Sequence, residues 1–130
     1  MNNGHKIDII IPVYNGGKFL EKLIKSFSFA LDGCLKDFIN IIFINDGSTD
    51  NTKEILSDIR SMKYSNIKIH NQQNKGEGEA RNTGLTNSHS KYVLFMDCDD
   101  IPCRDGFEFF CKNKDIFNCC DIFLGSYYVK

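Results

Sequence analysis

Apolar runs in this 130-residue chain reach only about six residues, far below the roughly 20 that a membrane-spanning helix needs. Basic charge is scarce as well. Sixteen Lys and Arg stand against 17 Asp and Glu, a net charge of −1. A nucleic-acid binder that relies on a broad basic field is thereby disfavoured. The opening M-N-N-G-H-K passes straight into a strand-like run, without the apolar stretch of a signal peptide. Internal repeats, low-complexity tracts and linkers are missing too. What is present is ordinary for one soluble domain: 42% hydrophobic and 25% charged residues. A chain of this size buries roughly two thirds of its unfolded surface, enough for a core without staples.

The six cysteines (Cys34, Cys98, Cys103, Cys111, Cys119 and Cys120) contain no C-x-x-C pair. His5, His70 and His89 do not flank them at zinc-finger spacing. Without a secretion signal, the expectation is buried or idle thiols in a reducing compartment rather than disulfides.

Ile7 to Val13 is apolar at nearly every position, which suits a strand covered on both faces. Phe19, Leu20, Leu23, Ile24 and Phe27 follow at helical spacing. Phe38 to Ile44 is a second strand, ending at the turn and N-cap cluster Asn45-Asp46-Gly47-Ser48-Thr49-Asp50. A helix with Ile55, Leu56 and Ile59 inward comes next, then a short strand at Ile67-Lys68-Ile69. Gln72 to Gly78 reads as a loop, Ala80 to Leu85 as a helix and Tyr92 to Met96 as a fourth strand. Phe107, Phe109 and Phe110 mark a short helix, and Asp121 to Leu124 begins a last strand. The alternation predicts an α/β fold with an open, mostly parallel, Rossmann-like sheet and helices on both faces.

In such sheets ligands bind beyond the carboxyl ends of the strands. Three polar clusters fall there: Pro12, Tyr14 and Asn15 after strand one, Asp46 to Ser48 after strand two, and Asp97-Cys98-Asp99-Asp100 after strand four. Three carboxylates within four residues repel one another, and a hard cation such as Mg²⁺ or Mn²⁺ would relieve that cost. A solvated acidic turn explains the same residues. Asp46 suits a helix cap at least as well as a base-reading acceptor. Tyr14 suits ordinary packing as well as stacking on a base. Gly76 to Arg81 (G-E-G-E-A-R) lacks the P-loop and dinucleotide glycine patterns. Arg81 stands out there as a permanent cation suited to a diphosphate or to the acidic cluster.

Taken together, four segments resemble the N-terminal, donor-binding part of family 2 glycosyltransferases with the GT-A fold. They are Ile9 to Gly16 (I-I-I-P-V-Y-N-G), Asn45 to Thr52 (N-D-G-S-T-D-N-T), Asn74 to Leu85 (N-K-G-E-G-E-A-R-N-T-G-L) and Tyr92 to Asp100 (Y-V-L-F-M-D-C-D-D). The resemblance implies an inverting transfer from a nucleotide-diphosphate sugar, typically a UDP-sugar, to a hydroxyl of a glycan or lipid-linked acceptor. It implies that Tyr14 packs on the base, that Asp46 accepts from it, and that Pro12 and Asn15 belong to the same donor site. Arg81 would be the cation beside the donor, Asp97 would face the ribose or sugar, and Asp99 would bind Mn²⁺ or Mg²⁺, with Asp97 as a second candidate ligand. Asn45 stands where Asp is commoner, leaving the second acidic position intact. The implied setting is polysaccharide synthesis at the cytoplasmic face, close to a membrane. No residue matches the family's acceptor-side base; Asp115 and Asp121 have no surroundings that support the role. The 130 residues are therefore expected to be one nucleotide-sugar-binding domain, cut from a longer enzyme and lacking its acceptor half.

Three other readings share the same residues. A phosphatase with an Asp pair after a strand is opposed by Ile101 at the fifth position. A nucleotidyltransferase would need a richer loop than Asn15-Gly16-Gly17-Lys18. A donor-binding module without transfer fits the length.

Overall fold

The computed structural model describes residues 7–62, 64–115 and 119. Strands and helices alternate as β1 (Ile7–Val13), α1 (Gly17–Leu31), β2 (Ile39–Asp46), α2 (Thr52–Ser61), β3 (Ile67–Gln72), α3 (Glu77–Thr86), β4 (Tyr92–Phe95) and α4 (Arg104–Lys112). The sheet is fully parallel, in the order β3-β2-β1-β4. The chain therefore steps outward from β1 to β3, then crosses back over β1 to lay β4 on its other side. That reversal leaves a crevice beyond the carboxyl ends of the strands, between the loops after β1 and β4 and the start of α3.

Every residue of β1 is buried, because the strand is central and both of its faces are covered. On one face Ile9, Ile11, Ile41 and Phe43 pack with Leu20, Leu23 and Phe27 of α1 and with Leu56 of α2. Phe107 of α4 joins this layer, its ring centroid 5.6 Å from that of Phe27. On the opposite face Ile10, Ile42 and Ile44 meet α3, which buries little besides Ala80 and Gly84. A Cβ at Gly84 would overlap the Ile10 side chain. Glycine costs a helix interior about 1 kcal/mol relative to Ala, and here it lets the helix backbone rest directly on β1.

Two buried carboxylates hold the ends of α3. Asp46, 3% exposed, accepts from Gln72 Nε2 at 2.8 Å and from the Lys75 and Gly76 N–H groups at 2.9 and 3.0 Å, at the helix start. Asp8, 2% exposed, accepts from the Ser88 and Ser90 hydroxyls at 2.6 and 2.7 Å, beyond the helix end. It also accepts from the His89 N–H at 3.0 Å and from Asn40 Nδ2 at 2.8 Å. Burial would raise the Asp8 pKa; the hydrogen bonds from Ser88, Asn40, Ser90 and His89 outweigh it and bring it down to about 2.

Sequence and structure differ in three places. β2 and β3 run on into polar residues, through Asp46 and Gln72, because side-chain amides extend the pairing: Asn45 Nδ2 donates to Asn71 Oδ1 at 2.9 Å. The expected loop at residues 72–78 shrinks to 73–76, since α3 starts at Glu77 rather than Ala80. The expectation of free thiols is wrong for one pair. Cys34, in the turn after α1, and Cys111, in α4, form a disulfide across a Cα–Cα distance of 5.9 Å. The folding of α4 onto α1 brings two cysteines 77 positions apart within bonding reach. Among the described residues Cys98, Cys103 and Cys119 form no disulfide. The strand expected at Asp121 to Leu124 lies outside the described residues. Among the described residues no helix is long and apolar enough to cross a membrane.

Gly84→Val should cost about 1–3 kcal/mol through overpacking against Ile10, read as a lower urea midpoint with unchanged slope. Asp8→Ala should cost about 2–4 kcal/mol at pH 7, since it strands buried donors. The folded pKa of Asp8 lies below its unfolded value, so its contribution is complete above about pH 4 and disappears as pH falls toward about 2. The gap between wild type and Asp8→Ala should therefore narrow over that window in acid titrations of stability. Reduction of the Cys34–Cys111 bond should lower stability by about 4 kcal/mol or less, on the loop-closure scale for a long ring. Thermal melts with and without dithiothreitol read that loss directly.

Candidate functional site

The crevice at the carboxyl edge is a cleft of about 570 Å³, within the size range of small-molecule sites. Its walls come from three of the four strand ends and from the β3–α3 loop. Pro12 lies near the end of β1 and Tyr14 follows it, Asp46 ends β2, Asn74 and Glu77 flank the start of α3, and Asp97 and Asp99 follow β4.

The loop after β1 is tied to the loop after β2. Asn15 takes φ 50°, a left-handed conformation that Asn tolerates better than most residues. Its Oδ1 accepts from the Thr49 and Asp50 N–H groups at 2.7 and 3.2 Å. Asp50 answers by accepting from the Gly17 N–H at 3.1 Å and from the Thr52 N–H at 2.9 Å, so one carboxylate serves the N-termini of α1 and α2. These bonds, those to Thr52 foremost, pull the Asp50 pKa below the usual range. The interlocked loops leave the Tyr14 ring 54% exposed over the cleft.

Asp97, Asp99 and Asp100 present carboxylate oxygens within 4.8 Å of one another, all exposed to solvent. Oxygen-only donors on an open turn suit Mg²⁺ or Mn²⁺, which keep waters and take further ligands from phosphates. The geometry of this turn therefore fits the divalent ion implied by the sequence. Between the acids lies Cys98. Burial first, then the charges of Asp99, Asp97 and Asp100, raise its thiol pKa. A protonated thiol is a poor nucleophile, so Cys98 serves packing: its Sγ would stand 2.8 Å from a Cβ at Gly16.

Arg81 stands behind the wall. Its Nη2 donates to Glu77 Oε1 at 2.6 Å and to Asp97 Oδ1 at 3.0 Å. Its guanidinium also lies 5.9 Å from the Phe95 ring centroid. Its Nε is buried with no hydrogen-bond partner among the described residues.

The structure thus brings Pro12, Tyr14, Asp46, Asp97 and Asp99 around one cleft. Asn15 and Arg81 act one contact away from it, through the loops and carboxylates they bind. Sequence reasoning missed Glu77 and Asp8. The i, i+4 spacing of Glu77 and Arg81 signalled the first, and a carboxylate inside the apolar run Ile7 to Val13 signalled the second.

Similar proteins carry the same architecture. The model for glycosyl transferase family 2 matches residues 8–124. Glycosyltransferase GlyA of Streptococcus pneumoniae is 39% identical over 123 residues, which are 95% of this chain and 17% of GlyA. The crystal structure of S. aureus TarS 1–349 in complex with UDP-GlcNAc superposes with a TM-score of 0.71 at 27% identity, over 85% of this chain and 31% of that one. A mannosyltransferase from Pyrobaculum calidifontis, solved with GDP-Man and Mn²⁺, shares the fold at TM-score 0.67 and 20% identity, over 78% of this chain and 30% of its own. The chain therefore spans less than a third of these proteins. With the family match running from β1 past α4, this chain belongs to glycosyltransferase family 2.

Proposed function

We propose that this chain is the donor-binding part of an inverting glycosyltransferase that moves a sugar from a UDP-sugar to a hydroxyl of a glycan or lipid-linked acceptor. The observation that carries the reading is the cleft itself: an exposed aromatic ring, a buried carboxylate and an acidic turn meet at the point where the strand order reverses. The complex of TarS with UDP-GlcNAc supports the choice of uridine.

Each side chain then has a task. Tyr14 offers its exposed face to the base. Asp46 spends three acceptor positions on Gln72, Lys75 and Gly76, and a carboxylate has about four. One position is left for a base N–H. Pro12 shapes the floor beneath the base, and Asn15 fixes the loop that carries Tyr14. Arg81 neutralises the diphosphate, and Asp97 accepts from ribose or sugar hydroxyls. Asp99 would hold Mn²⁺ or Mg²⁺, with Asp97 beside it. A divalent ion bound there supplies the Lewis acidity that stabilises a departing nucleoside diphosphate. Transfer also requires an acceptor-side base. We place that base in further chain of a longer protein, as the far greater lengths of GlyA and TarS suggest. The setting we favour is the cytoplasmic face of a membrane where envelope glycans are built.

UDP with Mn²⁺ should raise the melting temperature by several degrees, since ligand at 100 times its Kd stabilises the folded state by about 2.7 kcal/mol. Asp99→Ala should remove the metal-dependent part of that shift and keep the fold, judged by circular dichroism. Absence of any shift with UDP or other nucleoside diphosphates would refute the donor-site reading.

A further inference from the structure

The cleft is acidic on every charged wall position. Asp46, Glu77, Asp97 and Asp99 line it, and among the described residues no Lys, Arg or His does. The proposed donor is an anion. Its diphosphate needs Arg81, yet that guanidinium already carries two carboxylates on one nitrogen, Nη2, from Glu77 and Asp97.

These two partners differ in kind. Asp97 belongs to the acidic turn that suits a divalent ion. Among the described residues Glu77 pairs with Arg81 and is not part of that acidic turn. It sits in the first turn of α3, four residues before Arg81, where an acid is favoured by the helix dipole and by the acid-first order of the pair. Its side chain is 58% exposed and that of Arg81 36%. An ion pair this open is weak and exchanges readily. A diphosphate offers several oxygens and more charge, so it outcompetes a single carboxylate for a guanidinium fork.

We propose that Glu77 is a placeholder for the donor's diphosphate on Arg81. In the empty cleft it neutralises and orients the guanidinium. On donor binding it yields that position, so that its displacement sets part of the donor's affinity. Arg81 Nε is buried and has no hydrogen-bond partner among the described residues, so the contacts that Glu77 gives up are those at Nη2. This inference rests on the donor-site reading above. Glu77 is a positioning residue, acting through Arg81.

Calorimetric titration of UDP in the presence of Mn²⁺ tests it on five proteins: wild type, Glu77→Gln, Glu79→Gln and the pair of Arg81→Gln variants with and without Glu77→Gln. Removing one unit charge beside the binding position should lower the Kd of Glu77→Gln by roughly three- to tenfold. Glu79 lies in the same helical turn and accepts from Asn82 instead. Its substitution removes the same charge and should leave Kd within about twofold. In the Arg81→Gln background the gain from Glu77→Gln should vanish, a coupling that a general charge effect would not produce. An unchanged or weaker affinity in Glu77→Gln, an equal gain in Glu79→Gln, or a gain that survives Arg81→Gln overturns the placeholder while leaving the donor site standing. Failure of wild type to bind UDP overturns the donor site, and the placeholder with it.

Discussion

The molecule turns on two carboxylates taken out of water at opposite edges of one sheet. Helix α3 has almost no apolar face, burying little more than Ala80 and Gly84. Packing alone would hold it poorly. Asp46 at one end and Asp8 at the other fix the backbone and hydroxyl groups that flank it. A buried carboxylate is costly unless its lone pairs are filled, and both are well filled here. The same bonds that offset that cost determine where α3 lies, and with it Arg81, Glu77 and the loop carrying Asn74. Site geometry is therefore set by hydrogen bonds at the helix ends more than by hydrophobic contact along its length.

That arrangement explains how a chain of net charge −1 can present so acidic a cleft. The cations are kept off its walls, with Arg81 one layer back behind the carboxylates of Glu77 and Asp97. Charge in the cleft is then negative in the absence of ligand, and a divalent cation would offset part of it.

Much of this was legible in the sequence, for physical reasons. β1 and β2 announce themselves because central parallel strands are apolar on both faces, so Ile9 to Val13 and Ile41 to Ile44 admit few other readings. Tyr14, Asp46, Asp97 and Asp99 could be placed at one edge because parallel strands all end there. The ends of β2 and β3 were hidden, since Asn45, Asn71 and Gln72 look like turn residues until their amides pair across strands. Asp8 was hidden for a related reason: the donors that justify it lie about 80 residues away, at Ser88 to Ser90. Cys34 and Cys111 carry no local mark of pairing, because only the packing of α4 on α1 makes them neighbours.

The Cys34–Cys111 bond also has a mechanical meaning. It closes a covalent ring that contains β2, β3, β4 and the helices between them, and with them Asp46, Arg81, Asp97 and Asp99. Tension applied to the chain beyond α4 has a short covalent route from residue 111 to residue 34, and from there through α1 into the central strand. The arc bearing these four residues lies off that route.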